Sequence, residues 1–117
     1  MLGFSTGVVG CRSQHGRNSP RLEAQDPGER IAAIIRAAEQ GDRGSLPGLV
    51  DRLEDEDPAV RFYAILALDR MTGTRMGYRH GAPVEERRVA VDRWRRFLVD
   101  STASDAVGTS GHAPVTP

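Results

Sequence analysis

The chain has 117 residues, 16 acidic and 16 basic, with a formal net charge of zero. This leaves room for one small domain plus tails, and gives no bulk field that would steer it to nucleic acid or an anionic membrane. A single cysteine excludes an internal disulfide framework, and no apolar run approaches the length that crosses a bilayer.

The first residues carry Leu2, Phe4, Val8 and Val9 among small residues and run into Gly10-Cys11. Val8-Val9-Gly10-Cys11 resembles a bacterial lipoprotein lipobox. That resemblance implies lipidation of Cys11, removal of the residues before it, and a membrane tether of two or three acyl chains. No basic residue precedes the short apolar stretch, so an N-terminus with an incidental cysteine is the other reading. The protein is expected in the cell envelope on the first reading and in the cytoplasm on the second. Residues 12–25 are polar and lack a helical period, which predicts a flexible linker after a leader of residues 1–11.

A first helix is expected over 27–40. Asp26 can cap it, Pro27 fits its first turn, and Gly41 can end it. Ile31, Ile34, Ile35 and Ala38 form its apolar stripe, while Ala33 and Ala37 on the reverse side permit a close neighbour. A short connection implies that the second helix lies antiparallel to the first. That helix is expected over 46–54, with Ser45 as its cap and Leu46, Leu49, Val50 and Leu53 as its stripe. The acidic run 54–57 lacks the ligand spacing of a calcium loop and is expected to be a solvated turn plus a helix cap.

The third helix begins at Asp57-Pro58 and stops at Thr72-Gly73. Val60, Ala64, Ala67, Leu68 and Met71 form one stripe. Phe62 and Leu66 point the other way, with Tyr63 and Ile65 on the flanks. Apolar residues on two faces predict an inner helix with neighbours on both sides. A glycine-rich loop over 72–82 follows, in which Tyr78 is expected to fold back onto the last helix as a packing anchor. The last helix is expected over 83–99, with Ala90, Val91, Trp94, Phe97 and Leu98 on one face. Trp94 offers the largest apolar area and is expected to cap the core. Arg87 falls on the apolar side, where it can lay its stem along Tyr78 or pair with an acid. Residues 101–117 have no period and are expected to be a disordered tail.

Leu46-Pro47, Leu49, Val50 and Leu53, followed by Asp55, Asp57-Pro58, Val60-Arg61, Ala64 and Ala67-Leu68, resemble a HEAT repeat. The segment 26–40 looks like the second helix of a preceding, degenerate unit. Thr72-Gly73, Gly77-Tyr78, Glu86 and Val91-x-x-Trp94 are similar to an ending on small bacterial HEAT-type proteins, where a final helix closes the stack. The resemblance implies an all-α domain over 26–100: about four helices as antiparallel hairpins, a short α-solenoid. Val60, Ala64, Leu68, Tyr78 and Trp94 are expected to form its structural core.

No zinc-ligand spacing, nucleophile–base pairing or phosphate-binding loop is legible, so no enzymatic activity, metal or cofactor is expected. Arg75, Arg79, His80, Arg87 and Arg88 gather around the start of the last helix and form a candidate anion or partner surface. The expected function is a non-enzymatic protein-interaction or scaffold module, whose partner is another protein or a second copy of the chain. The alternative is an anion- or nucleic-acid-binding helical repeat using the arginine-rich last helix, although zero net charge argues against a nucleic-acid partner.

Overall fold

The computed structural model describes residues 16–107, with side chains to residue 103. Their order is a 3-10 segment Ser19–Glu23, α1 (Pro27–Gln40), a 3-10 corner Arg43–Ser45, α2 (Leu46–Asp51) with a 3-10 continuation Arg52–Glu54, α3 (Pro58–Thr72) and α4 (Val84–Val107). The protein is all-α, a short helical solenoid, with no strand among the described residues.

α1 and α3 share the same local design. Asp26 accepts the Glu29 N–H at 3.0 Å and Asp57 accepts the Ala59 N–H at 2.8 Å, each ahead of a proline in the first turn. Both helices end on a glycine in the left-handed region, Gly41 at φ 62° and Gly73 at φ 86°. α2 departs from its expected form in two ways. Its last turn tightens to 3-10, and Ser45 does not cap it: the buried Ser45 hydroxyl donates to Asp42 Oδ2 at 2.9 Å.

α1 and α3 pack side by side as one layer. The Ser19–Glu23 segment, α2 and α4 form the other layer beneath them. α4 follows α3 in an unusual direction. Arg95 Nη2 reaches Asp51 and Glu54 at the far end of α2, while Phe97 and Leu98 share a groove with Leu46 at its start. α4 therefore runs antiparallel to α2. The connection 73–83 makes this possible by travelling back along α3, where the Arg61 Nε–H meets the His80 carbonyl at 3.4 Å. α4 consequently has the same sense as α3.

The core joins both layers. Leu22, Ile34, Leu49, Leu53, Val60, Ala64, Ile65, Leu68 and Val91 are buried, as are Tyr78 and Trp94. Tyr78 is anchored at the end of α2, its hydroxyl donating to the Leu53 carbonyl at 2.6 Å. Trp94 donates Nε1–H to the Arg75 carbonyl at 3.0 Å and meets Phe97 edge-on at 5.7 Å between centroids.

Several boundaries move. Residues 16–25, expected within the linker, contain a 3-10 turn whose Leu22 is 0% exposed. Leu22 fits because Gly48 has no side chain: a Cβ there would stand 2.8 Å from Leu22 Cδ1. Asn18 fastens the turn, its N–H and side-chain amide both donating to Asp42 Oδ2 and the amide also to Gln40 Oε1. At the other end α4 continues to Val107, into the expected tail. Thr102 is accommodated there by donating its hydroxyl to the Leu98 carbonyl at 2.9 Å. The remaining linker and tail expectations lie outside the described residues.

The buried face of α1 is also rotated from the expected stripe. It consists of Arg30, Ala33, Ile34 and Ala37, with Ile31 and Ala38 half-buried and Ile35 40% exposed. Small alanines let the helix come close, and a charged partner inside the fold holds Arg30.

Candidate interaction surface

The second apolar face of α3, expected to be covered, is open. Phe62 is 37% exposed, Leu66 and Tyr63 are half-buried, and only Ile65 of this group is enclosed. Beside it lies Ile35 of α1. Between the two helices runs a shallow groove of about 120 Å3, floored by Ile34 and Ala67 and walled by Ile35, Ala38, Tyr63 and Leu66, with Arg70 at its edge. Phe62 continues the apolar strip outward, its ring 5.4 Å from Tyr63 and 4.9 Å from His80, both edge-on. An apolar strip on otherwise charged helices is the surface feature that folding alone leaves unexplained.

A buried charge cluster ties the start of α1 to the turn that precedes α3. Arg30 Nη2 donates to Asp55 Oδ1 at 3.0 Å, and Arg30 Nε stands 2.9 Å from Oδ2 as a close but misaligned ionic contact. Asp55 also takes Arg52 at 3.4 Å and the Asp57 N–H at 3.0 Å. Arg30 spends its remaining Nη1 hydrogens on the Ala24 and Gln25 carbonyls. The acidic run is thus only partly solvated: its second residue is a buried counter-ion. Arg61 closes the same turn from the α3 side, donating to the Asp55 carbonyl at 2.9 Å.

Burial pushes the Asp42 carboxyl up, but hydrogen bonds from the Asn18 N–H, Ser45 and the Asn18 amide, with the Arg17 charge, bring it below its ordinary value. Burial raises the Tyr78 phenol, and the nearby Arg61 and Arg87 charges offset only part of that rise.

Each arginine proposed from sequence as an anion surface has a hydrogen-bond partner within the chain. Arg75 pairs with Asp69 at 3.0 Å, Arg79 with Glu86 at 2.7 Å, and Arg88 with Glu85 at 3.4 Å. Arg87 donates to the Ala82 carbonyl at 2.6 Å, and His80 lies against Phe62. Cys11 lies outside the described residues. Among the described residues no group of three or more His, Cys, Asp or Glu is placed to hold a metal, and no helix is long and apolar enough to cross a membrane.

The family model for HEAT repeats matches residues 19–83, more than half of the chain. The chain belongs to the HEAT-repeat family. The match starts at the 3-10 turn that carries Leu22, so the HEAT unit includes a segment whose helical character the sequence pattern conceals. Neither a curated protein nor a solved structure matches the chain significantly. HEAT repeats typically mediate protein–protein interaction or scaffolding and are generally non-catalytic.

Proposed function

We propose that the protein is a non-enzymatic interaction module that binds another protein through the α1/α3 face. The observation that carries this reading is the apolar strip from Ile35 to Phe62, open to solvent on two helices that the Arg30–Asp55 pair ties together near their starts. The groove suits one or two apolar anchor side chains of a partner, laid between α1 and α3 in the manner of a helix in a groove. Exposed Arg36, Glu39 and Arg70 surround it with both signs of charge, which favours a mixed polar rim on the partner.

The test places a photoreactive amino acid at position 35 of the full chain in its native host. One discrete adduct is expected, lost when Phe62→Ser is added and absent when the probe sits at Val89 on α4. Equal adducts from both positions, or persistence in the Phe62→Ser chain at unchanged melting temperature, would refute the assignment of this face.

Lipidation of Cys11 belongs to the same proposal as its anchoring part. Because folded structure begins by Gly16, only four residues separate Cys11 from it, at most roughly 20 Å of extended chain. A tethered module would be held close against the membrane. Mass analysis of protein from the native host tests this: an acylated Cys11 as the first residue supports it, and an intact Met1 refutes it.

A further inference from the structure

Arg30 and Arg61 hold the same place in their helices, four residues after the capping aspartates Asp26 and Asp57. Each guanidinium folds back on the turn before its helix and donates from Nη1 to two successive carbonyls: Arg30 to Ala24 and Gln25, Arg61 to Asp55 and Glu56. The likeness breaks at the other edge. Arg30 turns Nε and Nη2 toward Asp55, at 2.9 and 3.0 Å, and that acid comes from the turn before the next helix of the same layer. The corresponding edge of Arg61 meets no acid. Its Nε has only the His80 carbonyl, at 3.4 Å. Its Nη2 has no hydrogen-bond partner among the described residues and is not enclosed.

α3 is the last helix of its layer among the described residues, so no later turn there brings a carboxylate to Arg61. Arg87, which donates to the Ala82 carbonyl of the same return segment, also forms no ion pair among the described residues. The unoccupied edge lies at the Phe62 end of the apolar strip. His80 joins the two: its ring stands 4.9 Å from the Phe62 ring, and its carbonyl faces Arg61 Nε.

We propose that Arg61 receives a carboxylate of the partner protein, an Asp or Glu carried beside the apolar side chain that lies against Phe62. This rests on the assignment of the α1/α3 face to a protein partner and adds the chemistry that the partner must carry. A planar guanidinium with its Nε–Nη2 edge open is matched to the two oxygens of a carboxylate. The pair repeats between two chains the contact that Arg30 and Asp55 make within one, and the long His80 contact gives way. A second copy stacked in the same order is not matched. Two residues before its α1 cap stands Ala24, at the place that Asp55 holds before the α3 cap.

The test selects a displayed library of short helical peptides on the full chain, then measures individual binders as free peptides. Binders are expected to share an Asp or Glu next to a large apolar residue. Replacing that acid with its amide should weaken binding to the wild-type chain about tenfold, and should change nothing against Arg61→Gln. Arg61→Lys, which keeps the charge without the two-pronged edge, should fall between. The amide exchange on the wild-type chain needs no altered protein, so it reads the contact even where Arg61→Gln unfolds. Binders that Phe62→Ser abolishes but that lack an acid, or whose amide forms bind equally well, overturn the role of Arg61 and leave the face standing. Amide sensitivity that persists in Arg61→Gln overturns it as well. Binders indifferent to Phe62→Ser, or a library that yields none, remove the face and this proposal with it.

Discussion

Asp55 is the side chain on which the register of the two hairpins depends most, and replacing it with alanine tests that directly. Its carboxylate is 4% exposed, paired with Arg30 and Arg52, and accepts the Asp57 N–H. Alanine would leave the Arg30 guanidinium, 9% exposed, without a counter-charge. Breaking a buried pair from one side costs about 3–5 kcal/mol. Arg30 keeps the Ala24 and Gln25 carbonyls at 2.8 and 2.9 Å, which places the ionic loss at the lower end. The released Asp57 N–H adds about 1 kcal/mol at most, because it can turn to water. The expected destabilisation is about 3–4 kcal/mol, a melting temperature lower by roughly 12–30 °C in a domain of this size.

Thermal and urea unfolding followed by circular dichroism at 222 nm reads this, with Asp69→Ala as the control. Asp69 makes an ion pair of the same length with Arg75, but in solvent, and should cost no more than about 1 kcal/mol. In the Arg30→Ala, Asp55→Ala double variant the losses should fall short of additivity by about 1–3 kcal/mol, because the second substitution removes a charge that the first stranded. If Asp55→Ala melts with the Asp69→Ala control, or if the two losses simply add, the cluster does not brace the two hairpins.

Leu22→Ala should cost about 2–4 kcal/mol in the same unfolding assay, since Leu22 is fully enclosed; a loss below about 0.5 kcal/mol would remove the Ser19–Glu23 turn from the cooperative fold. Tyr78→Phe should cost about 1–2 kcal/mol by stranding the Leu53 carbonyl. The folded protein holds the Tyr78 proton more tightly than the unfolded chain, so that stabilisation is complete below pH 10.0 and lost as pH rises through the raised folded value; the Phe variant should lack this alkaline loss. Asp42 has the opposite sign: its folded value lies below 3.8, so its contribution is present above pH 3.8 and disappears as pH falls further, a loss that Asp42→Asn should abolish in acid titrations of stability.

The contrast between what the sequence discloses and what it hides follows the range of the interactions. α1 and α3 are announced by signals within four residues of each end: Asp-Pro at the start and a left-handed glycine after the finish. The Arg30–Asp55 pair spans 25 residues, and nothing local marks either side chain as buried. Arg30 does share the i, i+3, i+7 face of Ala33 and Ala37, which is the one clue that it points inward. The Leu22 turn has no period to detect. Its only trace is Gly48, a hole one side chain wide on the neighbouring helix. The open face of α3 is hidden from the sequence for a related reason. The apolar pattern of α3 reports that Phe62 and Leu66 avoid water, but cannot distinguish a neighbour within the chain from one supplied by another molecule.

That ambiguity narrows once the direction of α4 is considered. In a regular array each helix turns back on the one before it, and both layers grow together. Here the return segment 73–83 brings the chain back to the start of α3, and α4 then lies antiparallel to α2. Its inward residues Ala90, Val91 and Trp94 are consumed against the α2 layer. Its outward side presents Arg88, Asp92, Arg95 and Arg96, with Arg95 held charged by Asp51 and Glu54 despite partial burial. That layer is coated mainly by charged side chains with Val84, Val89 and Val99 exposed among them, whereas the α1/α3 layer keeps Ile35 and Phe62 exposed beside a groove. The apolar side chains left open on α4 are separate valines, whereas Ile35, Tyr63 and Leu66 adjoin one another along a groove, and the proposal of recognition through α1 and α3 rests on that difference.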